Sequence, residues 1–243
     1  MDTSLLNPYP SSTTLPPNVI HRIFDYAAFG DPRTAVQLSL VSRLVKEWVD
    51  VHLYANVELY LESRIASFHQ TIVKPLCHTA EFFANTVRSL SVSFIPGSSR
   101  VPHILLACPN IKDFTMYLVH GNASQEKTSL ILHNVSDLEY SLHTIRPTQV
   151  QIQLYHCFRD PLSRFQRTLF HNMTHLALLD DWEYWTRWSD DFCLLPNLTH
   201  LSLDLRVGTR GLGQGDGWRI SDCVWRILKT CRGLREHATA DDA

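Results

Sequence analysis

Apolar residues return at the same relative places over residues 86–203, and this return constrains the fold more than any other feature of the chain. With Thr86, Asn110, Asn134, Asn172 and Asn197 as position zero, apolar residues stand at +1, +4 and +6. The frames read Val87/Leu90/Val92, Ile111/Phe114/Met116, Val135/Leu138/Tyr140, Met173/Leu176/Leu178 and Leu198/Leu201/Leu203. An alternation at +4 and +6 is that of a strand with one buried face. The frames are 24, 24, 38 and 25 residues apart, and a degenerate sixth opens at Gly233 with only Leu234 retained. Helix candidates fall between frames at 102–107, 161–170 and 220–230. Each unit is then expected to be a helix, a tight turn and a short strand. One unit cannot bury both faces, so neighbours must stack. Strands stacked side by side give a parallel sheet with the helices in a second layer. An irregular α/β fold with a single open sheet accounts for the same alternation.

The front of the chain has a different period. Residues 1–14 are rich in Pro, Ser and Thr and read as a flexible leader. Ile20, Ile23, Phe24, Ala27 and Ala28 then follow helical spacing, and Gly30 ends that helix. Asp31-Pro32 restarts the chain, with an N-cap carboxylate and a proline at the first helical position. A second helix carries Ala35, Leu38 and Val41, and a third carries Val45, Trp48, Val49 and Leu53. Three helices of this length are marginal alone, so the module is expected to lean on a partner or on the domain behind it.

The order of residues here resembles an F-box. Leu15-Pro16, Ile20, Ile23-Phe24, the run from Leu38 to Ser42, Trp48 and Leu53-Tyr54 carry the resemblance. More narrowly, the segment is similar to the F-box-like opening of expanded protein sets in mushroom-forming fungi. The resemblance implies docking of residues 15–60 on the Skp-type adaptor of a cullin–RING ubiquitin ligase, with Leu15, Pro16, Ile20, Ile23, Leu40 and Val41 as contacts. Residues 61–243 resemble a leucine-rich-repeat solenoid, Asn197-Leu-Thr-His-Leu-Ser-Leu being a fair match. That repeat wants Asn or Cys at +9, where this chain has Ile95, Val119, His143, Asp181 and Arg206. The expected architecture is therefore α/β by class, α+β by segregation. A three-helix F-box-like module at 15–60 precedes an irregular leucine-rich-repeat-like, parallel-strand solenoid at 61–243.

Chemistry is sparse. No nucleophile elbow, phosphate-binding P-loop or zinc-protease helix motif occurs, so no catalytic residue is assigned and no enzyme is expected. His171 and His175 are four apart but lead into a strand, where they do not share a helical face, and no metal or cofactor is expected. The alternating glycines Gly211, Gly213, Gly215 and Gly217 read as a solenoid loop. Six cysteines stand at irregular gaps without a C-x-x-C pair, as buried free thiols of a reducing compartment do. A net charge of −2 argues against a general nucleic-acid binder, and the chain has no apolar run long enough to span a membrane. A cytoplasmic or nuclear location is expected.

Residues 179–191 combine Asp180, Asp181, Glu183, Asp190 and Asp191 with Trp182, Tyr184, Trp185 and Trp188. Aromatics among acids suit an interface with a basic partner. Asp180, Asp181, Trp182, Glu183, Tyr184, Trp185 and Trp188 are therefore candidate contacts to an unknown protein target. The same spacing also fits a short helix that buries its indoles. The function these readings imply is a substrate adaptor joining a protein target to a Skp–cullin–F-box ligase. A repeat-based interaction scaffold without ligase association is the alternative.

Overall fold

The computed structural model describes residues 15–74, 78–95, 98–118, 136–155, 157–158, 164–205, 213, 215–231 and 233–234. The leader read at 1–14 and most of the glycine-rich loop lie outside them. The chain divides into two compact units, one ending at Tyr54 and one beginning at Ala55.

The first unit is helical, as its period requires. Helix α1 (Pro17–Ala28) opens with proline at its first position. It stops at Phe29-Gly30, where Gly30 takes φ +79°, a left-handed conformation that side chains with a Cβ resist. Helix α2 (Pro32–Ser39) begins at Asp31, whose carboxylate accepts bonds from the Arg33 amide (3.0 Å) and the Thr34 hydroxyl (2.6 Å). These bonds hold the Asp31 carboxyl below the usual carboxylate range. Helix α3 spans Arg43–Ala55. The core of the unit is Ala28, Ala35, Val45 and Val49, with Phe24, Leu38, Trp48 and Leu53 packed partly against it. Trp48 meets the rings of His21 and Phe24, at 4.7 and 6.3 Å.

Among the described residues the second unit is built on a six-stranded sheet, all of whose strands pair in parallel and neighbour one another in chain order. The strands are β1 (Asn56–Leu59), β2 (Ser89–Phe94), β3 (Asp113–Leu118), β4 (Gln149–Ile152), β5 (His175–Leu178) and β6 (His200–Leu203). Helices α4 (Glu62–Val73), α5 (Ala80–Thr86), α6 (Arg100–Ala107), α7 (136–142), α8 (Trp182–Trp185) and α9 (Asp216–Thr230) fall between or after the strands. Short 3-10 turns at Arg164–Gln166, Thr168–Phe170, Thr186–Trp188 and Asp191–Leu194 add to them. The expected α/β class with parallel strands is what the chain forms.

Register explains the apolar recurrence. Val57, Leu90, Phe114, Val150, Leu176 and Leu201 occupy equivalent places, at intervals of 33, 24, 36, 26 and 25 residues. Two residues further on, Leu59, Val92, Met116, Ile152, Leu178 and Leu203 do the same. All of these are buried except Leu201 and Leu203, which are half-buried. At four of the five strand entries one carbonyl accepts two amides from the next rung. Arg88 O takes those of Lys112 and Asp113, Lys112 O those of Thr148 and Gln149, and Thr148 O those of Thr174 and His175. Thr174 O then takes those of Thr199 and His200. Hydroxyls of Thr148, Thr174 and Thr199 donate to the same carbonyls, at 3.1–3.3 Å. Frame-opening asparagines are stapled likewise: Asn110 donates to Ala84 O (3.0 Å) and Asn197 to His171 O (2.8 Å).

Three sequence expectations need correction. The frame opened at Asn134 is not a strand. Asn134 and Val135 lie outside the described residues, while Leu138 and Tyr140 sit on α7, Leu138 buried and Tyr140 exposed. Leu138 and Leu142 are both buried, four apart on α7, so helical period prevails there. The strand of that rung is β4, where Val150 and Ile152 alternate with Gln149 and Gln151, an alternation that Gln153 and Leu154 carry past its end. Residues 56–59, read with the helical module, instead form the first strand of the sheet. The helix candidate at 161–170 is two 3-10 turns burying Phe165, Leu169 and Phe170, its first three residues lying outside the description.

Candidate interaction surfaces

On α1 Ala28 is buried and Ile20 and Phe24 are half-buried, whereas Val19, Ile23 and Tyr26 are exposed. Leu15 and Pro16 stand exposed just ahead of it. Leu40 is 82% and Val41 60% exposed in the turn after α2, and Tyr26 (85%) and Phe29 (75%) are equally bare. Of the six residues named for adaptor contact, five are exposed and Ile20 is half-buried. With Val36, Leu44 and Val51, ten large apolar side chains among the described residues of the unit are turned to solvent, and its buried apolar residues are two alanines and two valines.

The aromatic–acidic stretch has another arrangement. Trp182 and Trp188 are buried and Trp185 is wholly so, its indole N–H donating to Asp204 O at 2.9 Å. These three side chains form core and are not available to a target, which corrects that part of the target-contact reading. Helical spacing of Trp185 and Trp188 aims both inward, as the simpler reading of the stretch allows. Asp180 is also buried, and its carboxylate accepts from the amides of Leu154 (2.6 Å) and Tyr155 (2.9 Å). It closes the turn after β4. Asp181 and Glu183 are exposed, and Tyr184 stacks on Tyr155 at 3.9 Å. Burial first, then Tyr155, Asp181 and Glu183, push the Tyr184 phenol above its ordinary value.

Sequence reasoning missed the polar face of the sheet. One row across it reads Asn56, Ser89, Asp113, Gln149, His175 and His200. A second reads Glu58, Ser91, Thr115, Gln151, Ala177 and Ser202. His175 and His200 stack at 4.0 Å with planes 6° apart. Each Nδ1 lies 2.8 Å from the hydroxyl of the preceding threonine. A cavity of about 700 Å³ is lined by residues of β3 to β6 together with Val224, Ile227 and Leu228 of α9 and by Leu234. The polar positions between the apolar ones of each frame were the signal that could have found this face.

Other titratable groups make local contacts. His69 Nε2 and His103 Nδ1 are 3.2 Å apart, and burial, then the charges of His103 and Arg100, lower the His69 pKa. His171 lies in a turn and His175 opens β5. Among the described residues no three His, Cys, Asp or Glu side chains group as a metal site would. No described helix is long and apolar enough to cross a membrane. No family model matches the chain, and no curated protein matches it.

Proposed function

We propose that this chain is a substrate adaptor of a Skp–cullin–F-box ubiquitin ligase. Its helical unit docks on a Skp-type adaptor, and its leucine-rich-repeat-like sheet holds a protein target. The observation that supports the reading is the number of large apolar side chains, among them Leu15, Ile23, Leu40 and Val41, that the described residues of the helical unit leave exposed on a segment ordered like an F-box. Catalysis in this chain is not required: tethering raises the effective concentration of target lysines near the ubiquitin-charged enzyme. The polar rows of the sheet, with the stacked His175 and His200, are the surface offered to the target.

Capture of the intact chain by purified Skp-type adaptor tests the proposal, with Ile23→Glu and Leu40→Glu as variants. Covering the Leu40 side chain is worth about 2 kcal/mol, so Leu40→Glu is expected to weaken capture roughly 30-fold. Both substitutions fall on exposed positions and leave the fold intact. Point variants are cleaner than removing residues 1–60, which would also remove β1. Absence of capture by the parent chain, or equal capture of parent and variants, would refute ligase association and leave an interaction scaffold.

A further inference from the structure

Helices α4 and α6, which follow β1 and β2, pack together. Ile65 of α4 and Val101, Ile104 and Leu105 of α6 are buried. Two polar links join the same helices. Glu62 pairs with Arg100, and His69 Nε2 meets His103 Nδ1 at 3.2 Å, the rings 16° from parallel. Glu62 and His69 are seven apart and share one stripe of α4; Arg100 and His103, three apart, share one of α6.

Acid acts on these links through the histidines. A hydrogen bond between two ring nitrogens needs a proton on one and a lone pair on the other. The pair therefore accommodates one proton between its facing nitrogens and excludes a second. With both imidazoles neutral, the seam holds one cation, Arg100, and one anion, Glu62. With both charged, it holds three cations against that one carboxylate. From α6 the groups that act on His69 are His103 and Arg100. β1, which also packs on α4, turns Glu58 to the polar rows of the sheet. Burial first, then His103 and Arg100, hold the His69 pKa below its ordinary value. Folding thus favours the neutral ring. The stability this brings is full above the range in which a free histidine titrates and is lost as pH falls through it.

We propose that the seam between α4 and α6 is an acid-sensitive latch. One proton shared by His69 and His103 closes it. A second proton on their facing nitrogens opens it, loosening residues 62–73 and 100–107 while the sheet stays paired. The inference is independent of adaptor docking, because it concerns only the second unit.

Hydrogen exchange of the intact chain, read by mass spectrometry and corrected for the intrinsic pH dependence of exchange, tests the latch. Between pH 8 and pH 5, protection of residues 62–73 and 100–107 is expected to fall about fivefold more than that of β3 and β5, the effect of two unit charges about 4 Å apart in water. The excess should shrink in 1 M NaCl, which screens such charges, and vanish in the double variant His69→Gln/His103→Gln. These positions are half-buried and exposed, and circular dichroism checks the fold. As a second readout, NMR titration of the histidine rings should show the His69 midpoint rise in His103→Gln. Equal pH dependence in parent and double variant, an excess that salt leaves unchanged, or a His69 midpoint indifferent to His103 overturns the proposal.

Discussion

Asp180 separates a structural reading of the acidic stretch from a recognition reading, and replacing it with alanine makes the difference measurable. Its carboxylate is buried and accepts from two amides, Leu154 N at 2.6 Å and Tyr155 N at 2.9 Å. In Asp180→Ala the wholly buried Leu154 amide is left without this acceptor, at a cost of about 2 kcal/mol. Tyr155 is partly exposed, so water can replace its bond and the loss there is about 1 kcal/mol. The sum, about 3 kcal/mol, corresponds to a Tm lower by roughly 6–12 °C for a unit of this size. Asp180→Asn keeps one acceptor oxygen and is expected to lose about half as much. Asp181→Ala is the control: the same residue type one position on, exposed and without a side-chain bond at the start of α8, expected within about 0.5 kcal/mol of the parent. Urea unfolding followed by circular dichroism and by tryptophan fluorescence reads all three. Equal midpoints for Asp180→Ala and Asp181→Ala would refute the assignment of Asp180 as a buried clasp.

Gly30→Ala should destabilise the helical unit by about 1 kcal/mol, because φ +79° is disfavoured for alanine although no atom crowds the added Cβ; a lower unfolding midpoint in urea checks it. Burial pushes the Cys108 thiol up to about 12, so at pH 8 it stays protonated. Exposed Cys193 should be alkylated by iodoacetamide well before Cys108 in the folded chain, as peptide mass mapping would reveal. Modification of both at the same rate would contradict the burial of Cys108.

The class of the fold was legible because four of the five frames coincide with strands, and their +4 and +6 residues point inward as a period of two demands. What misled the third frame was Asn134 itself. Asparagine opens rungs at Asn110 and Asn197 because its amide reaches back to the previous rung, but a shared first residue does not make a strand when Leu138 and Leu142 keep helical time. The run from Gln149 to Leu154 announces β4 more plainly than any asparagine. On the helical unit, spacing identified which residues share a face; which of those faces lies bare depends on helix packing that spacing does not determine. The indoles of 182–188 were ambiguous for the same reason: a tryptophan flanked by acids reads alike in a core and in an interface until its neighbours are placed.

Strands that neighbour one another in space in the order of synthesis have a consequence for the nascent chain. Each strand leaving the ribosome meets its docking edge already formed by the segment made just before it, so assembly can proceed without waiting for the carboxyl end. The same arrangement lets lineages lengthen or shorten the array by whole rungs, since excision of one brings together two edges that obey the same pairing rule.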